Sequence, residues 1–91
     1  MEHNYQPLAC DLYDHLEIAC MHRYRLLIEL VDGNSLLGQA LTTETTASKE
    51  EYLHVLTSSG EQRLRLDRIL AITPQDAGAR FGRVLLNRPG C

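Results

Sequence analysis

Ninety-one residues with a net charge of −3, no tryptophan and one phenylalanine leave room for one modest aliphatic core, and so for a single small domain. The shortage of aromatics gives no stacking platform for nucleobases, and no apolar run is long enough to cross a membrane. Three cysteines, an odd number in a chain read without a secretory leader, point to free thiols in a reducing cytosol.

The charge is unevenly spread. Residues 1–22 hold Glu2, Asp11, Asp14 and Glu17 and no Lys or Arg, a charge of −4; residues 23–91 hold eight acids and nine bases, a charge of +1. The negative field therefore belongs to the N-terminal element, which should repel a phosphate backbone and attract a basic surface.

In chain order, residues 1–10 read as an extended lead-in with Pro7 discouraging helix before it. A helix is expected over about 11–22, with Asp11 or Cys10 at the N-cap and Asp14 in the first turn, where the helix dipole favours carboxylates. At 3.6 residues per turn, Leu12, Tyr13, Leu16, Ala19 and Cys20 share a buried side. Asp11, Asp14, His15, Ile18, Met21 and His22 share the other, with Glu17 near the boundary. An acidic outer face with apolar residues set into it suits a protein-binding helix, although a charged outer face is also the default for any surface helix. Cys10 and Cys20 are separated by about 15 Å of helical rise and cannot pair. His15, Cys20 and His22 lack the companion ligands of a zinc site. No metal or cofactor is expected.

Tyr24–Val31 is an aliphatic strand closed by an Asp32-Gly33 turn. Ser35–Thr43 forms the second strand, and Gly38 marks a sharp bend or bulge in it. The polar run 42–50 leads into a loop with its tip near Ala47–Glu50. Tyr52–Thr57, Gln62–Leu66 and Ile69–Thr73 supply three more strands, with Ser58-Ser59-Gly60 closing a hairpin and Asp67-Arg68 a corner. RFGRVLL, residues 80–86, offers one further short strand. Arg63, Arg65 and Arg68 form the internal basic cluster, read as a solvated face. Arg80, Arg83 and Arg88 beyond Pro74 are read as a solvated tail.

One helix and five or more short antiparallel strands with tight hairpins give a mainly β (α+β) fold: an N-terminal helix followed by a small, strongly bent Sm-like barrel. LLIELVDGNSLLGQAL, residues 26–41, is similar to the first Sm motif and LRLDRILAI, residues 64–72, to the second. The single domain would comprise the helix at about 11–22, the barrel at about 24–74 and an extension over 75–91.

The order and spacing of YQPLACDLYDHLEIAC, LIELVDG, EYL and LRLDRI resemble the Rho-binding antiterminator family, also called Rof, over residues 5 to about 74. That resemblance implies a cytoplasmic bacterial inhibitor that binds the transcription terminator Rho at the primary RNA-binding site of its N-terminal domain and hinders RNA loading. RNA would then be a competitor rather than a ligand, and the chain a monomer. Carried onto this sequence, Tyr13, Asp14 and Glu17 are the interface candidates. The outer-face projection adds Asp11, His15 and Ile18, and Lys49 stands for the loop, which is less basic than the family pattern beside Glu50 and Glu51. The alternative is an Sm-like RNA-binding protein, disfavoured by the acidic helix and the lack of exposed aromatics. Catalysis has little to recommend it. His15 is one turn from Asp11, but no nucleophile elbow, phosphate loop or metal set accompanies them.

Overall fold

The computed structural model describes residues 10–87, with side chains from Leu12 onward. Helix α1 (Cys10–Met21) is followed by β1 (Arg25–Leu30), β2 (Ser35–Thr45), β3 (Glu51–Thr57), β4 (Gly60–Arg65), a 3₁₀ turn (Leu66–Arg68), β5 (Ile69–Pro74) and β6 (Val84–Leu85). All six strands are antiparallel to their neighbours in one sheet of order β4-β3-β2-β1-β5-β6.

The connector from β4 to β5 makes that sheet roll up. In a flat sheet these strands would lie four inter-strand spacings apart, roughly 19 Å. The chain crosses from Arg65 to Ile69 in four Cα steps, at most about 15 Å when fully extended. Coiled as a 3₁₀ turn it spans only about 8 Å. The sheet must therefore curl until β4 comes round beside β5, which produces the expected bent barrel. Leu66 in the connector is fully buried and its turn packs against β3. The Asn87 side-chain amide donates to the carbonyls of Leu66 at 2.8 Å and Ile69 at 2.6 Å, and Val31 N–H donates to Arg68 O, which satisfies those three carbonyls.

Inside the curl lie Leu26, Ile28, Ala40, Leu53, Val55, Leu66, Ile69 and Ile72, all without solvent exposure, closed over by Leu16 and Ala19 of α1. No polar or charged residue among those described is buried. The alternation of strand side chains explains this assignment. Leu26 and Ile28 face in, while Leu27 and Glu29 on the same strand are only half covered.

The inner positions of β2 are small because its neighbours come close. A Cβ built on Gly38 would sit 3.0 Å from Val55 Cβ and 3.1 Å from Val55 Cγ2. The bulge expected at Gly38 occurs three residues later. The β2–β3 register runs Ala40↔Val55 and then Thr42↔His54, leaving Leu41 as the extra residue. A one-residue slip exchanges the faces of a strand; so Gly38 and Ala40 are buried before it, and Glu44 stands on the outer surface after it.

The helix ends in a double hydrogen bond around a left-handed residue. Tyr24 N–H donates to Ala19 O at 3.0 Å and Arg23 N–H to Cys20 O at 3.2 Å, with Arg23 at φ 54°. This Schellman arrangement stops the helix and turns the chain into β1. Tyr24 O then accepts from Ala40 N–H, fixing the helix exit to β2, the strand on which α1 packs. Gly38→Ala should overpack the β2–β3 contact and cost about 1–3 kcal/mol, measured as a lower midpoint in urea unfolding.

Candidate protein-binding helix

Leu16 and Ala19 anchor α1 with no exposed surface, and Leu12, Tyr13, Ile18 and Cys20 pack partly against the same core. Asp14 and Glu17 are exposed, and Met21 is 74% exposed. These three lie at spacings of three and four residues and form one stripe along the outer surface. Its last turn holds no basic residue, so nothing on α1 itself offsets the two carboxylates.

The sequence candidates divide on this geometry. Asp14 and Glu17 are placed together and in water. Tyr13 is half-buried against the core, as its projection suggested. His15 and Ile18 depart from the outer-face projection: both are half-buried. For His15 the cause is the C-terminal segment, which returns to the helix and sets Phe81 edge-on to the imidazole at 5.0 Å between ring centres. Asp11 lies in the helix with its side chain outside the described residues. Lys49 is exposed at the far end of the β2–β3 hairpin with φ 72°, in a turn closed by Lys49 N–H to Thr46 O and Thr46 N–H to Glu50 O.

The segment after β5 departs most from expectation. The sequence predicts its arginines in a solvated tail, yet Phe81 also meets Tyr24 at 5.9 Å, Tyr24 Oη accepts from Arg80 N–H at 2.9 Å, and Leu86 is buried. Arg83 grips Glu29 with Nε at 2.9 Å and Nη2 at 3.1 Å, a bidentate pair that holds the Glu29 carboxyl below its ordinary range. Arg88 lies outside the described residues. Short apolar positions such as Phe81 and Leu86, spaced among glycine and arginine, were the signal available in the sequence.

Cys20 is a free thiol, and burial pushes it up to about 11, with Arg23 opposing and Glu17 adding slightly. A thiol held protonated this firmly is a packing group rather than a nucleophile or metal ligand.

By fold the chain is a small, mainly β barrel with one acidic, partly apolar helix packed on it. The family model described as modulator of Rho-dependent transcription termination (ROF) matches residues 7–86. The protein rof of Escherichia coli strain K12 is 44% identical over 80 residues, which cover 86% of this chain and 92% of that protein; rof of Shigella flexneri matches equally. The solved structure of YaeO bound to magnesium from Vibrio cholerae O395 superposes with a TM-score of 0.73 at 19% identity, covering 81% of this chain and 96% of that one, a likeness of fold. The chain belongs to the Rof family of modulators of Rho-dependent transcription termination, a regulatory family rather than a family of enzymes.

Phe81→Ala should cost about 1–3 kcal/mol, below the value for a fully buried ring. It should also remove the ring-current displacement of the His15 imidazole protons, read by NMR.

Proposed function

We propose that this protein inhibits Rho-dependent termination by docking the exposed stripe of α1 on the primary RNA-binding site of the Rho N-terminal domain, so that RNA cannot load. The observation that carries the reading is the pair Asp14 and Glu17, exposed beside Met21 on a helix without a base in its last turn. A surface that holds RNA is basic, and carboxylates can pair with the Arg and Lys side chains that would otherwise meet phosphates. Exposed ion pairs contribute only about 0–1 kcal/mol each, so the apolar part of the stripe, Met21 with the outer edges of Tyr13 and Ile18, supplies the packing. His15 flanks this surface, Asp11 stays a candidate on its position in the sequence, and Lys49 is a secondary contact from the β2–β3 loop.

The RNA-binding alternative has lost most of its cluster. Arg63 bonds Glu44 and lies over the Tyr52 ring. Arg65 is bidentate to Asp67 and also faces Glu50 at 3.5 Å. Of the three arginines, only Arg68 has no acid partner among the described residues. In this reading RNA is the competitor rather than the ligand. The protein acts as a monomer in the cytoplasm with Rho. Sm-like rings assemble through strand edges, and here β6 already pairs with β5 at Ala71↔Leu85 and Ile72↔Val84, covering the edge that a neighbouring copy would use. Among the described residues no helix is long and apolar enough to cross a membrane.

Asp14→Lys should leave unfolding unchanged and weaken binding to purified Rho about tenfold, mainly through slower association. Raising ionic strength from about 0.01 M to about 0.1 M, which shortens the Debye length from about 30 Å to about 10 Å, should weaken the native complex more than the variant's. Unchanged affinity in the variant, together with a flat salt response, would remove the acidic stripe from the interface.

A further inference from the structure

The outer face of β2, β3 and β4 carries a charged cluster that the binding helix does not use, with His54 of β3 at its centre. His54 Nε2 lies 2.8 Å from Oε1 of Glu44 on β2, and Nδ1 lies 3.1 Å from Oε2 of Glu61 on β4. Arg63, opposite His54 in the β3–β4 register, reaches the same Glu44 oxygen through Nε at 3.1 Å. Its guanidinium carbon is 3.7 Å from the centre of the Tyr52 ring, and Tyr52 Oη donates to Glu50 at 2.9 Å. The slip at Leu41 is what turns Glu44 outward to join this group.

An ionised carboxylate accepts hydrogen bonds and cannot donate them, and a neutral imidazole has a single N–H. Two carboxylates placed one on each ring nitrogen are both satisfied only by the doubly protonated ring. The same placement, on opposite sides of the ring, prevents the three side chains from enclosing one metal ion.

We propose that His54 is a proton-operated clamp across β2, β3 and β4: as an imidazolium it holds Glu44 and Glu61 together, and on losing its proton it releases one of them and loosens the hairpin that carries residues 46–50. The groups facing it are Glu44 from β2, Glu61 and Arg63 from β4, and Tyr52 on β3 itself. Arg63 is the one cation among them, and its charge is drawn off by Glu44 and the Tyr52 ring.

The electrostatics follow the geometry. The hydrogen bond that His54 donates to Glu44 raises the His54 pKa above its ordinary 6.5, opposed by partial burial and helped by the bond to Glu61. The bonds from His54 and then Arg63 lower Glu44 below its ordinary 4.5. A group whose folded pKa is raised adds stability in full below its unfolded value and loses it as pH rises through the folded one. A lowered carboxyl adds stability above its unfolded value and loses it as pH falls through the folded one. The clamp therefore holds between the titration of Glu44 on the acid side and that of His54 on the alkaline side.

The direct test is the pH titration of the ring nitrogens in the ¹⁵N-labelled chain, with the His54 signals assigned by their loss in His54→Gln. Both nitrogens should take up protons as the pH falls, with a midpoint above 6.5 that moves down in Glu44→Gln and in Glu61→Gln. Heating at pH about 9 instead of about 6 should lower the melting midpoint more in the native chain than in His54→Gln. A midpoint at or below 6.5 in the unmodified chain would overturn the clamp. So would a midpoint that neither glutamate variant moves.

Discussion

Three residues between β4 and β5 are too few to cross a flat sheet of this strand order, and that shortage shapes the whole molecule. It forces the sheet to curl, the curl creates one inner face, and the inner face collects the aliphatic side chains that the sequence supplies in place of aromatics. Small inner residues then become necessary where strands crowd. Gly38 and Ala40 of β2 meet that need, and the extra residue at Leu41 relieves the bend. The same slip decides what the outer surface displays, because it turns Glu44 away from the core and toward His54. A connector only a few residues longer would relax the closure and every one of these consequences with it.

The chain ends of the barrel are closed by different physics. At β2 the helix is held by burial, with Leu16 and Ala19 in the core and the Schellman turn at Arg23 fixing its exit. Along β5 the closing element is β6, tied by backbone pairing, by the bidentate Arg83 to Glu29 pair and by Phe81 between His15 and Tyr24. One short segment thus covers a strand edge and braces the helix that presents Asp14 and Glu17. A rigidly mounted helix suits a docking role, since little ordering entropy is then lost on binding.

The local features of this fold were legible in its residues. Alternation located five strands within a few residues of their bounds, the Asp32-Gly33 turn appeared where glycine at φ 97° now sits, and RFGRVLL contained β6. The family resemblance, carried by the helix pattern and the short strand motifs, named the Rof family that the comparisons show. What the sequence hid was long-range. Glu29 and Arg83 meet across more than fifty positions, and no periodicity reports such a pair. Phe81, one aromatic in a stretch of Gly and Arg, gives little sign that it covers His15, so a helical projection makes the outer face of α1 too wide. Gly38 was legible as a constraint but not as the right one: it serves a close approach, while the bulge needed a neighbouring strand to define it. His54 looked like one outward residue of an alternating strand, and its two carboxylates come from different strands.

The central claim is competition for one surface on Rho, and the most direct measurement is a titration of this protein into Rho bound to a labelled pyrimidine-rich RNA. The RNA should be displaced, with an apparent affinity that falls in proportion to the RNA added. A ternary complex that keeps the RNA bound, or retention of the RNA by this protein itself, would contradict it.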